Sequence, residues 1–135
     1  MWYNLTAMSQ QSAKSVVREF WRLMATNDFH SLKSVLAPEF IMEWPQSKER
    51  IRGPERFCQM NVEYPTTSRW EFRINLLVAS GDSVVTQVSL TDGAQSAEPI
   101  SFFTVRAGKI TRLVEYWPEP FAPAENRRHL VELMA

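Results

Sequence analysis

Gly108-Lys109-Ile110-Thr111-Arg112-Leu113-Val114-Glu115-Tyr116-Trp117-Pro118 is the stretch on which the fold turns. A tight turn feeds a strand whose two alternating phases are both apolar around one carboxylate, Glu115. A strand with two buried faces belongs inside a covered sheet, and an acid there is costly unless it is paired or used. Glu115 is therefore the candidate floor of a small-molecule pocket, with Glu43 as its candidate companion.

The chain has 135 residues, enough for one domain with a real core. Lysines and arginines number 15, as do aspartates and glutamates, and no charge run stands out. Bulk electrostatics thus give no reason to expect nucleic acid or an anionic membrane as a partner. No apolar run approaches the roughly 20 residues of a spanning helix, and Met1 to Ala7 lack the basic head and apolar middle of a signal peptide. The single cysteine, Cys58, excludes an internal disulfide framework and suits a reducing cytoplasm. Five tryptophans among 12% aromatic residues suit a hollow core lined by rings.

Residues 1–10 read as an N-terminal extension, and residues 11–135 as one domain. Ser9 or Ser12 caps a first helix along which Val16, Val17, Phe20, Trp21 and Met24 recur at helical spacing. Asp28 caps a second, carrying Leu32, Val35 and Leu36 and closed by Pro38. Phe40 to Trp44 is a strand, with Phe40, Met42 and Trp44 in one phase and Ile41 and Glu43 in the other. Gln46 to Arg50 is a polar loop. Gly53-Pro54 opens a third helix, with Phe57, Met60 and Tyr64 on its apolar side. Trp70, Phe72, Ile74, Leu76 and Val78 then alternate as a half-buried strand, Ser80-Gly81-Asp82 turns, and Val84 to Thr91 returns. Ile100 to Arg106 and Ile110 to Trp117 form the last hairpin. The proline-rich tail leaves the sheet and becomes a short helix from about Pro123, with Leu130, Leu133 and Met134 on one side.

Helices followed by an antiparallel meander make an α+β pattern, with the helices on one face of a curved sheet. This order, with Glu43-Trp44-Pro45-Gln46, Arg52-Gly53, Gly108-Lys109-Ile110 and Glu115-Tyr116-Trp117, resembles the SnoaL-like branch of the nuclear transport factor 2-like superfamily. The resemblance implies a cone-shaped, cystatin-like sheet, mixed or antiparallel, wrapped around the N-terminal helices and a central pocket. It further implies a homodimer joined through the outer sheet face, where Val114 and Tyr116 lie. On the same ground Leu113, Glu115 and Trp117 face the cavity, as do Ile41 and Glu43, and Val85, Gln87 and Ser89 on the middle strand. Phe57, Tyr64 and Phe103 complete the expected substrate wall.

Two carboxylates in one apolar cavity do not both ionise cheaply, so one serves as acid and the other as base. Glu115 is the expected principal acid/base, Glu43 its assistant, and Gln87, Ser89 and Thr111 are donors to a carbonyl oxygen. A competing reading pairs Glu115 with Arg106 or Arg112, and Glu43 with Arg50 or Arg52. The acid, arginine, acid set of the superfamily's epoxide hydrolases is missing at Gln87-Val88-Ser89. The cavity histidines of its dehydratases have no counterpart in His30 or His129. No glycine-rich phosphate loop, metal spacing or nucleophile triad appears, so no cofactor is implied. The expected function is a small-molecule pocket, a cofactor-free cyclase or isomerase acting on an apolar carbonyl compound. The alternative is a non-catalytic ligand-binding or dimeric interaction module.

Overall fold

A two-residue turn at Ala107-Gly108, both with positive φ, reverses the chain between strands Ile100–Arg106 and Lys109–Tyr116. Positive φ at both positions gives the twist that matches adjoining strands, and glycine adopts it without strain. The computed structural model describes residues 5–135, with side chains from residue 13 onward.

Helix α1 (Leu5–Thr26) leads into a 3-10 turn (Phe29–Ser34). Strands β1 (Leu36–Trp44) and β2 (Glu49–Arg52) follow, then α2 (Pro54–Glu63), β3 (Glu71–Ser80) and β4 (Ser83–Thr91). The short β5 (Ser96–Ala97) precedes β6 (Ile100–Arg106) and β7 (Lys109–Tyr116), and a 3-10 turn (Glu125–Leu130) lies in the tail. The sheet runs β2-β1-β7-β6-β4-β3, with β5 beside β4. β1 and β7 are parallel and every other pair is antiparallel. This is the mixed, curved α+β cone expected, with β7 near its centre.

Phe20, fully buried on α1, meets Trp21 and Phe103 edge-on at 5.0 and 5.2 Å and stacks on Phe57 of α2 at 6.2 Å. The inner sheet face adds Phe40 and Met42 from β1, Val84, Thr86 and Val88 from β4, and Ile110 and Leu113 from β7. Thr86 is tolerated there because its hydroxyl accepts the Trp21 indole N–H at 3.2 Å. At the end of α1, Asn27 takes the left-handed conformation (φ 61°), and its amide bonds both backbone groups of Trp70, at 2.7 and 2.9 Å.

Several boundaries differ from the sequence reading. Leu5 to Gln10 belong to α1, so Ser9 and Ser12 lie within the helix rather than at its start, and residues 1–4 lie outside the described residues. The second helix is only the 3-10 turn, and Asp28 makes no side-chain cap bond. Leu36 pairs with Ile110 and already belongs to β1. Pro38 lies where the β1–β7 register shifts, between Leu36 and Ile41, the kind of irregularity in which a strand proline is tolerated. The loop read over 46–50 contains the start of β2, whose Arg50 lies opposite Glu43. A bulge between Ile74 and Leu76 reverses the phase of β3, leaving Leu76 and Val78 exposed. In the tail, Leu130, Leu133 and Met134 are largely exposed.

Asp92, just past the end of β4, is buried. Its carboxylate accepts the Gln95 side-chain amide at 3.0 Å and the backbone N–H groups of Gln95, Ala94 and Thr67. These bonds hold it well below the usual carboxylate range and tie the α2–β3 loop to the β4–β5 loop.

Candidate functional site

A cavity of about 740 Å³ opens between α1, α2 and the inner sheet face, within the size range of small-molecule sites. Its deep wall includes Phe20, Trp21, Phe57 and Trp70, and Glu115 reaches it from β7. Its mouth is formed by exposed Gln46, Glu49, Tyr64, Gln95 and the Pro118–Pro120 segment.

Glu115 faces inward because a register shift opposite Thr111 lets Ile110, Leu113 and Glu115 all turn to the core. The carboxylate is 5% exposed. Ser101 on β6, directly opposite in the ladder, donates its hydroxyl to Oε2 at 3.0 Å. Trp44 on β1 donates its indole N–H to Oε1 at 3.3 Å. The backbone N–H of Trp117 donates to Gln46 Oε1 at 2.5 Å, fixing the β1–β2 turn against the end of β7. Burial pushes the Glu115 carboxyl above its ordinary value, and the hydrogen bonds from Ser101 and Trp44 only partly oppose the shift.

No cation pairs with this acid among the described residues. Arg112, the partner in the competing reading, is on the outer face, paired with Glu43. Arg106 is exposed at the turn that ends β6. A buried carboxyl held by neutral donors changes protonation without losing its anchors. Indole can only donate, but the serine hydroxyl can turn to accept when Glu115 carries a proton.

Glu43 is not its companion. β1 pairs with β7 in parallel with Glu43 opposite Val114, so both lie on the outer face, and Ile41 shares that phase. Arg50 bonds Glu43 at 2.8 Å and Arg112 bonds its other oxygen. Arg112 first and then Arg50 hold the Glu43 carboxyl below its ordinary value. Gln87 and Ser89 are corrected for the same reason. The buried phase of β4 is Val84, Thr86, Val88 and Leu90, and outside it Gln87 and Ser89 both accept from the Asn75 amide, at 2.8 and 2.7 Å. Thr111 donates instead to the Thr104 carbonyl at 3.3 Å.

Leu113 and Phe103 are core side chains that do not line the cavity, whereas Phe57, Tyr64 and Trp117 do line it. The sequence reading missed Trp44 and Ser101, the two residues bound to Glu115. Reading residues 43–50 as a hairpin closed over Pro45 to Lys48 would have set Glu43 against Arg50 and turned Trp44 inward.

The fold and cavity define a class: an α+β cone enclosing a ligand-binding or catalytic pocket. The chain belongs to the SnoaL-like domain family, which matches residues 17–113. It is similar to a proposed ketosteroid isomerase from Kribbella flavida, with 28% identity over 94% of this chain and 93% of that one and a TM-score of 0.85. A nuclear transport factor 2-like protein of unknown function from Burkholderia xenovorans shares 22% identity over 95% and 99% of the two chains, with a TM-score of 0.77. A proposed SnoaL-like polyketide cyclase from Jannaschia shares 18% identity over 81% and 87%, with a TM-score of 0.68. Among curated proteins, none matches the sequence. No helix of the described residues is long and apolar enough to cross a membrane.

Proposed function

We propose that the protein is a cofactor-free cyclase or isomerase that binds an apolar carbonyl compound in the cavity and moves a proton with Glu115. The observation that carries this reading is the carboxyl itself: buried, without a cation, held by two neutral donors, at the edge of a ring-lined space. Such an acid keeps its proton to higher pH than an exposed one does. The isomerase and cyclase descriptions of structural neighbours support the reaction class by likeness alone.

In this mechanism the ionised Glu115 takes a proton from the carbon next to the carbonyl. Charge moves to the carbonyl oxygen, and the protonated carboxyl returns the proton to the product. Ser101 and Trp44 hold the carboxyl in one plane throughout and are positioning residues. The Tyr64 hydroxyl at the mouth is the candidate donor to the developing oxyanion.

Deuterium uptake next to the carbonyl of 2-tetralone, followed by NMR in heavy water, tests the reading. The wild-type protein should accelerate exchange over buffer, and Glu115→Gln should not. Equal exchange by both would overturn the role of Glu115. If 2-tetralone binds without any acceleration, the chain is instead a ligand-binding module, a reading favoured by the fact that both Glu115 oxygens are already satisfied.

The reading extends to a homodimer through the outer sheet face. Val78, Val85, Phe102 and Val114 lie opposite one another across β3, β4, β6 and β7, and Tyr116 packs edge-on against Phe102 at 5.9 Å. A row this apolar on an exposed face suits a self-complementary contact. Sedimentation of a monomer only would refute it. A cytoplasmic location completes the reading, supported by the lone, buried Cys58.

A further inference from the structure

The charges lining the cavity are all of one sign. The chain carries as many cations as anions, yet among the described residues the only charged side chains on the cavity wall are Glu49, Glu115 and Glu119. The neighbouring arginines are turned away: Arg50 and Arg112 grip Glu43 on the outer face, and Arg69 bonds the Ala25 carbonyl. The rest of the wall is dominated by rings, nine in all, including Trp21, Trp44, Trp70 and Trp117. Ring faces carry negative electrostatic potential and attract ammonium groups. A carboxylate or phosphate entering the same space would be stripped of water with no counter-charge to meet it.

We propose that the cavity selects apolar ligands bearing a protonated amine and rejects those bearing an acid. This rests on the reading of the cavity as the ligand site. The ammonium belongs at the mouth, where Glu49 and Glu119 are exposed on the cavity lining. The apolar body then extends inward, leaving Glu115 free of the ligand's charge.

The test compares three ligands of one frame by isothermal titration calorimetry at pH 7: 1-naphthylmethylamine, 1-naphthalenemethanol and 1-naphthaleneacetate. The amine should bind about tenfold more tightly than the alcohol, as a desolvated cation–π contact allows, and the acid more weakly than either. Glu49→Gln combined with Glu119→Gln should reduce the amine-to-alcohol ratio at least threefold, and both positions are exposed enough to leave folding intact. Equal affinities, or an advantage for the acid, would overturn the charge selection while the ligand site stands. A ratio unchanged in the double variant would overturn the assignment of the amine to the mouth. Binding by none of the three would overturn this inference together with the reading beneath it.

Discussion

Replacing Glu115 with glutamine should make the protein more stable as the pH rises, even as it removes the acid/base group. Glutamine preserves both local bonds: its oxygen can accept the Trp44 indole N–H, and its amide can donate to the Ser101 hydroxyl. What it removes is the cost of ionising a buried carboxyl. The native Glu115 pKa lies above its ordinary value of 4.5, chiefly because of burial. Between those two values the native protein holds a proton that the unfolded chain has released, so wild-type stability falls with rising pH. One proton sets the slope at no more than about 1.4 kcal/mol per pH unit. Asp92 and Glu43 titrate below their ordinary values and are present in both proteins, so they cancel in the comparison. Urea unfolding of wild type and Glu115→Gln from pH 4 to 8 gives the difference curve. It should be level below the ordinary carboxyl value, rise in favour of the variant, and level off above the native pKa. A flat difference across the range, or one that turns against the variant, would mean that the acid ionises without penalty and that the site is wrongly described.

Three further outcomes bear on the same geometry. Ser101→Ala removes a donor that favours the ionised form, so the upper bend of that curve should move to higher pH, with a stability loss of about 1–3 kcal/mol. An unmoved bend would show that Ser101 does not hold the carboxylate. Glu43→Gln should cost at most about 1 kcal/mol, because its arginine partners are largely exposed, and should leave proton exchange at wild-type rates. Loss of exchange equal to that of Glu115→Gln would place Glu43 in the cavity after all. Phe20→Ala should cost about 3–5 kcal/mol in urea unfolding, since three neighbouring rings cannot all close over the void. A loss below about 1 kcal/mol would show that the ring is not part of the core.

The alternation of side chains along each strand is written in the sequence, and so is the residue type at each turn. That sufficed for the order of the longer elements, for the Ala107-Gly108 reversal, and for an isolated carboxyl in a strand with two apolar phases. Alternation separates two faces but does not say which is inside. For β7 the resemblance chose the correct face. For β1 and β4 it chose the wrong one, because the choice is made by pairing: Glu43 lies beside Val114, and Gln87 beside Ile100, on the outer side of the same sheet. The apolar content of the phases pointed the other way, with Phe40, Met42 and Trp44 against Ile41 and Glu43. The bulge in β3 leaves no mark in composition, yet it moves Leu76 and Val78 to the outside. The partners of Glu115 were hidden for a plainer reason: Trp44 and Ser101 stand 71 and 14 residues away and meet the carboxyl only when β1 and β6 close on either side of β7. Sequence fixes what each strand can offer, and the ladder decides what it meets, because hydrogen-bonded neighbours must share a face.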